Sequence, residues 1–356
     1  MNSCFVRGRL APSILLLWVL SLPFALAGCA WISLDERPEI STEVQQQDPR
    51  ETAEPSVDVQ PTIIEAKIVE PTEVERIAIE SLEPLVEHSY FGIPEAEEDL
   101  SIFELCHEIG NKLGSVSVDS CLSQQLVSNG GLSVLGRPLA IREFAELPNR
   151  TPLGRVLLIG GIHGDEFSAV SIVFKWMQIL DQHHSGIFEW RFVPVSNPDG
   201  LLAEDSRRQN EMGVDLNRNF PSADWDELAL NFWRERTRSN ERRYPGPEAG
   251  SEPEVAWLVK QIKDFQPDVI ISVHAPYHLV DYDGPPDAPQ KLGDLHLSKL
   301  GVYPGSLGNY AGVDLDMPVV TIELPYAGIL PRDDQISMMW TDLVAWLIEE
   351  QSESGD

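Results

Sequence analysis

Short apolar runs recur along the second half of the chain, and stretches of helical periodicity lie between them. Residues 155–161 form one such run and stop at Gly160-Gly161. A short apolar run bounded by turn residues has the pattern of a strand buried on both faces. Residues 167–180 then place Val170, Val173, Phe174 and Met177 three and four positions apart, which lines one face of a helix. A second strand is predicted over 190–195. The segment 253–265 is helical in pattern, with Val255, Leu258, Val259 and Ile262 on one side. Residues 268–274 predict a strand that ends at His274, 318–324 a strand that carries Glu323, and 337–349 a closing helix. Strands alternating with helices predict an α/β fold, a central, mostly parallel mixed sheet with helices on both faces. Ligands bind such sheets beyond the carboxyl ends of the strands. His163, His274 and the loop after Val195 lie at or just past such ends, and Glu323 lies near one. Four separated segments therefore converge on one cleft.

The first hundred residues follow different patterns. Arg7 and Arg9 precede an apolar stretch over 14–26, followed by Leu26-Ala27-Gly28-Cys29. A basic flank, a short apolar core and small residues before a cut describe an export signal, here 1–28. The core is short for a membrane span. The Leu-Ala-Gly-Cys ending resembles a bacterial lipobox. That resemblance implies cleavage before Cys29, lipidation of its thiol and anchorage on the periplasmic side of the envelope, with Ala30 compatible with the outer membrane. Residues 29–99 read as an acidic, proline-rich tether. Between 30 and 99 there are 19 acidic and 4 basic residues, too little apolar surface to offset chain entropy. Beyond it, 100–132 reads as a small N-terminal region and 133–356 as one catalytic domain.

A formal net charge of −31 argues against nucleic acid as a partner, because phosphate binding needs basic surface. Cys4 leaves with the signal and Cys29 takes lipid. Cys106 and Cys121 remain, and an exported protein permits a disulfide. They are expected to pair and staple the small N-terminal region, with two buried thiols as the alternative.

His163-Gly164-Asp165-Glu166 follows the strand and glycine break. Alone, a His-x-x-Glu pair is weak evidence, since a capping box looks the same. Further motifs follow in order. They are Asn197-Pro198-Asp199-Gly200, then Arg208 and Asn210, then Asp215-Leu216-Asn217-Arg218, then Ser251-Glu252-Pro253-Glu254, Ser272-Val273-His274 and Thr321-Ile322-Glu323-Leu324. This ordered set, spanning about 133–350, resembles the zinc carboxypeptidases of the carboxypeptidase A family. The short core and His274-Ala275-Pro276-Tyr277 are most similar to its bacterial murein peptide amidase branch.

The resemblance implies one zinc ion per chain on His163, Glu166 and His274. Three protein ligands leave a position for water, the catalytic arrangement. It implies Glu323 as general base, Arg208 as the group that polarises the scissile carbonyl, and Asn217 with Arg218 as the site for a terminal carboxylate. A guanidinium offers a planar fork that lysine cannot match. The implied reaction is hydrolysis of an amide next to a free carboxyl end, between γ-D-glutamate and meso-diaminopimelate in a murein peptide. A general metallocarboxypeptidase, a deacylase resembling succinylglutamate desuccinylase or aspartoacylase, and a silent envelope protein that binds murein peptides are the alternatives.

Two positions depart from the family pattern. Longer members carry a mobile tyrosine over the substrate's terminus. Tyr303 and Tyr310 flank Gly305-Ser306-Leu307 here, and Tyr303 is expected to take that place. At the pocket base, Leu307 suits an apolar side chain, whereas Asp281, Asp283, Asp314 or Asp316 suits an ammonium; the sequence leaves this open. Asp165 is expected to cap or turn the following helix, and Asp215 to be structural.

Overall fold

A computed structural model describes residues 97–285 and 287–353. The export signal, Cys29 and almost all of the tether lie outside the described residues.

The described chain runs α1 (Glu97–Lys112), α2 (Val118–Ser123), β1 (Val127–Leu132), β2 (Pro138–Phe144), β3 (Gly154–Ile159), α3 (Phe167–His183), β4 (Phe188–Val193) and α4 (Pro198–Leu202). It continues with α5 (Trp225–Glu235), α6 (Pro253–Phe265), β5 (Val269–His274), β6 (Leu279–Asp283), β7 (Lys291–Leu292), β8 (Leu295–His296), a π-helical turn (Gly308–Val313), β9 (Val319–Glu323) and α7 (Asp333–Glu353). Seven strands form one sheet in the order β1-β2-β4-β3-β5-β9-β6. The inner four are parallel, and β1, β2 and β6 run antiparallel to their neighbours.

The unbroken apolar runs follow from burial on both faces. Successive side chains of a strand point to opposite sides. In β3, Val156 and Leu158 join the core beneath α3 and α7, while Leu157 and Ile159 join a second core with Val255, Leu258 and Ile262 of α6. β5 and β9 divide their residues the same way. From β3 the chain steps outward to β4, then crosses back over β3 to β5. The switch in direction leaves a crevice at the carboxyl ends of β3 and β5, where such sheets bind ligands.

The expected strands and helices are present, with ends displaced by a few residues. The edges were not anticipated. β1 contains Asn129-Gly130-Gly131 and is mostly exposed, so it lacks any apolar rhythm. Gly131 is required there by a neighbour, since a Cβ would overlap the Trp257 indole. The expected division at 132/133 also needs correction. It falls inside the β1–β2 hairpin, where Leu132 pairs with Pro138. Cys106, Ile109, Cys121 and Leu126 are buried in the same core as Trp176, so 97–132 is part of the catalytic domain.

Cys106 and Cys121 are joined in a disulfide that ties α1 to α2 across a sequence separation of 15. A loop of that length constrains the unfolded chain by about 3 kcal/mol. Cys106→Ser is therefore expected to lower unfolding free energy by about that amount, measured by denaturant titration against the oxidised parent.

Candidate active site

Three buried donors meet beyond β3 and β5. The chain leaves β3 through Gly161, at φ 62°, a left-handed conformation that glycine adopts freely. His163 and Glu166 then fall in the loop before α3, and His274 is the last residue of β5. His163 Nδ1 lies 2.8 Å from Glu166 Oε1, and His274 Nδ1 lies 3.1 Å from both His163 Nδ1 and Glu166 Oε2. The opposite ring nitrogens are engaged elsewhere. His163 Nε2 is 3.2 Å from Asp215 Oδ1, and His274 Nε2 is 3.0 Å from Ser272 Oγ. With the ring protons held on Nε2, two imidazole lone pairs and a carboxylate face one point. Such a group of acceptors fits a cation, and two nitrogens plus one oxygen fit catalytic zinc. Burial alone would raise the Glu166 carboxyl. With no cation on these atoms, and the Nδ1 atoms protonated instead, the His163 charge and hydrogen bonds from both histidines outweigh burial and hold it below the usual range.

Asp215 does more than hold a turn. Its carboxylate is fully buried, faces His163, accepts from Arg208 Nε at 2.8 Å and caps the 3-10 turn Leu216–Arg218 through Asn217 N. Against burial, the Arg208 charge keeps it well below the ordinary carboxylate range. A carboxylate behind a metal-binding imidazole fixes its tautomer and ring orientation. Asp215→Asn is expected to weaken zinc binding about 10- to 100-fold, read by competition with a fluorescent chelator. Asp165 neither caps α3 nor reaches a zinc histidine; it pairs with Arg242 at 2.5 Å.

The remaining site candidates share a cavity of about 420 Å³ with the three donors. Glu323 ends β9 directly beside His274 in the sheet register. Burial first, then the charge of Glu166, lifts its carboxyl to about 7. Arg208 Nη1 stands 3.1 Å from His163 Nδ1 and 3.6 Å from Glu166 Oε1, so the guanidinium borders the metal-facing atoms. Arg218 lies buried with its guanidinium carbon 4.4 Å over the Tyr303 ring. Burial lowers its pKa to about 10, which leaves it cationic at neutral pH. Asn217 Oδ1 accepts from Leu307 N at 2.8 Å, fixing the carboxylate-side wall.

The two tyrosines part company. Tyr303 lines the cavity, whereas Tyr310 stacks on Phe220 in the second core. Of the candidates for the pocket base, Leu307, Asp281 and Asp283 line the cavity. Asp314 accepts from Ala223 N instead, and Asp316 is exposed at φ 51°. Cavity residues to which the motifs assigned no role include Tyr277, Thr321, Arg242 and Arg243. Arg242 and Arg243 sit in a short 3-10 turn, Glu241–Arg243, with no apolar rhythm. Thr321 was legible, being two residues before Glu323 on the same face.

Several motif residues are scaffold. Asn197 caps α4 at Gly200 N and donates to the carbonyls of Ile162 and Arg208, binding the metal loop to the arginine loop. Gly164 packs so close to Gly200 that a Cβ would overlap its backbone. Asn210 donates to both Glu252 and Glu254 in a buried network.

Two histidines and a glutamate around one point, with a carboxylate and an arginine across a shared cavity, define a mononuclear zinc hydrolase of α/β fold. The sequence model for zinc carboxypeptidases matches residues 123–297, and the chain belongs to that family. Its cofactor is zinc, held by His163, Glu166 and His274. Murein peptide amidase A of Escherichia coli (strain K12) is 29% identical over 228 residues, covering 61% of this chain and 88% of that protein. Murein peptide amidase A of Vibrio campbellii (strain ATCC BAA-1116) is 29% identical over 202 residues, covering 55% and 77%. Among solved structures, carboxypeptidase A from Helicoverpa armigera superposes with a TM-score of 0.52 at 18% identity, covering 72% of this chain and 73% of that one. That likeness establishes the fold.

Proposed function

We propose that this zinc hydrolase releases meso-diaminopimelate from murein peptides by cleaving its amide to the γ-carboxyl of D-glutamate. The observation that carries the terminal-residue chemistry is Arg218, a buried guanidinium in the cavity of the metal ligands. The similarity to murein peptide amidases, over most of their length, supports the murein bond.

On this reading the terminal carboxylate docks on Arg218 and Asn217. That contact sets the adjacent amide against His163, Glu166 and His274, converting an encounter into a positioned reaction. Zinc held by those residues supplies Lewis-acid polarisation and a more acidic water. Glu323 takes a proton from the attacking water and later delivers it to the leaving amine. Arg208 donates to the oxygen on which negative charge develops. Water adds across the C–N bond, so the products are a free amino acid and a shortened peptide carboxylate.

The export signal and lipobox resemblance support anchorage through Cys29 on the periplasmic side of the envelope.

The test is mass spectrometry of products from L-Ala-γ-D-Glu-meso-diaminopimelate. Release of diaminopimelate supports the proposal. Efficient cleavage of ordinary α-linked peptides without that release would leave a general metallocarboxypeptidase.

A further inference from the structure

Four arginines line the cavity of the metal ligands: Arg208, Arg218, Arg242 and Arg243. Three of them have partners. Arg208 donates to Asp215, Arg242 pairs with Asp165, and Arg218 lies over Tyr303 and donates to the Asn217 carbonyl. Arg243 is half-buried, and among the described residues no hydrogen bond or ion pair reaches its guanidinium. The chain as a whole carries a formal net charge of −31. Guanidinium groups gathered in one cavity of so acidic a chain are not overflow from a basic surface, and a cleft of one sign attracts ligands of the other.

The turn that presents Arg243 is fastened on all sides. Asn240 Oδ1 accepts from Arg242 N at 3.0 Å, and Arg243 N donates to the Asn240 carbonyl at 2.9 Å. Trp233 of α5 donates to that same carbonyl at 2.8 Å. Gln209 Nε2 donates to the Glu241 carbonyl at 3.0 Å, and Asp215 N to the Tyr244 carbonyl at 2.8 Å. Arg243 is also near enough to act on Arg218. Burial is the chief cause that lowers the Arg218 pKa; Asp215 opposes it, and the charges of Arg208 and Arg243 add to it. A second anion in the cavity relieves that repulsion.

The fastening also places the turn along the cavity. Asn217 and Arg218, the receptors of the terminal carboxylate, border the segment 303–307 through Tyr303 and Leu307 N. The turn instead joins Gln209, Asp215 and Asp165, the last of them between His163 and Glu166 on the loop after β3. A substrate with its terminal residue against Arg218 and Tyr303 therefore passes the metal ligands and runs on toward Arg243.

We infer that Arg243 binds a carboxylate carried by the residue on the acyl side of the scissile amide. A guanidinium suits that group through its planar fork of donors. The inference rests on the function proposed above, where this carboxylate is the free α-carboxyl of γ-linked D-glutamate, a short methylene chain away from the scissile carbonyl. An ordinary α-linked residue has its α-carboxyl in the bond itself, so only an acidic side chain reaches the same place. The contact thus selects the γ linkage.

The experiment compares L-Ala-γ-D-Glu-X with L-Ala-γ-D-isoglutaminyl-X, in which an amide of the same shape replaces the α-carboxylate, and L-Ala-α-L-Glu-X with L-Ala-α-L-Gln-X. X is meso-diaminopimelate or lysine. In the wild type, kcat/KM for the carboxylate form is expected to exceed that for the amide form at least about tenfold with either X, the scale of a charged hydrogen bond. In Arg243→Gln that preference is expected to disappear, and in Arg243→Lys to survive in part. Calorimetric titration of zinc-loaded Glu323→Gln protein with the γ-linked pair reads binding without turnover and with Arg243 in place, and the carboxylate form is expected to bind more tightly. Equal use of the two forms by the wild type in whichever linkage is cleaved, or an unchanged preference in a folded Arg243→Gln protein, would overturn the inference. A loss in Arg243→Gln confined to the diaminopimelate peptides would overturn it too, by moving Arg243 to the distal carboxylate of the terminal residue. Cleavage confined to the α-linked peptides, with glutamate preferred over glutamine through Arg243, would sink the murein assignment and leave the acyl-side carboxylate site standing.

Discussion

Replacing Glu323 by glutamine is expected to lower kcat by about 10²- to 10⁴-fold, the range spanned by general acid–base catalysis. The change keeps shape and volume but removes the proton acceptor. KM and zinc content are expected to stay near wild type, because Glu323 stands beside His274 in the sheet register but is not one of the three donors. A pure binding protein would lose nothing, so steady-state kinetics separate the two. The pH profile supplies a second check. Glu323 must be ionised to accept a proton. Burial and Glu166 raise its pKa in the metal-free protein to about 7, and a bound dication lowers it. Activity is therefore expected to fall with acid along a limb centred at or below pH 7, and Glu323→Gln to abolish that limb.

His274→Ala is expected to cost more. It removes one of two nitrogen donors at a point where His163, Glu166 and His274 converge within 4.8 Å. Zinc bound after dialysis should drop from one per chain to a small fraction. A metal ion's charge stabilisation amounts to several kcal/mol, so kcat should fall by at least about 10³-fold. Zinc added to the apo wild type should raise its Tm, since a ligand that binds only the folded state stabilises it, and the variant should show no such rise. Metal analysis and differential scanning fluorimetry check both. A variant that held zinc and turned over normally would show that the three residues are not the ligand set.

How much of this was legible in the sequence differs by residue. β3, β5 and β9 announced themselves because both faces are buried, so their apolar runs are continuous. Each also ends near a residue whose chemistry stands out: His163, His274 and Glu323. Arg218 was marked by its place beside Asn217. β1 and β6 were not legible, since an edge strand has no such run, and β6 puts two aspartates on its cavity face. Asp215 reads as structural in the sequence because its partners, His163 and Arg208, are 52 and 7 residues away, and only the fold brings all three together. The choice between Tyr303 and Tyr310 likewise depended on the π-helical turn, which buries Tyr310 against Phe220. The pocket base was narrowed from four aspartates to two because β6 lies beside β9, a pairing that no local pattern encodes.

The most direct measurement is zinc content together with turnover of L-Ala-γ-D-Glu-meso-diaminopimelate by the purified protein, before and after chelation and after zinc is restored. One zinc per chain, with release of diaminopimelate that stops on chelation and returns with zinc, is the expected result. Release that persists in zinc-free protein, or stoichiometric zinc with no amide hydrolysis of any carboxylate-ended peptide, would contradict the assignment of His163, Glu166, His274 and Glu323 to the chemistry.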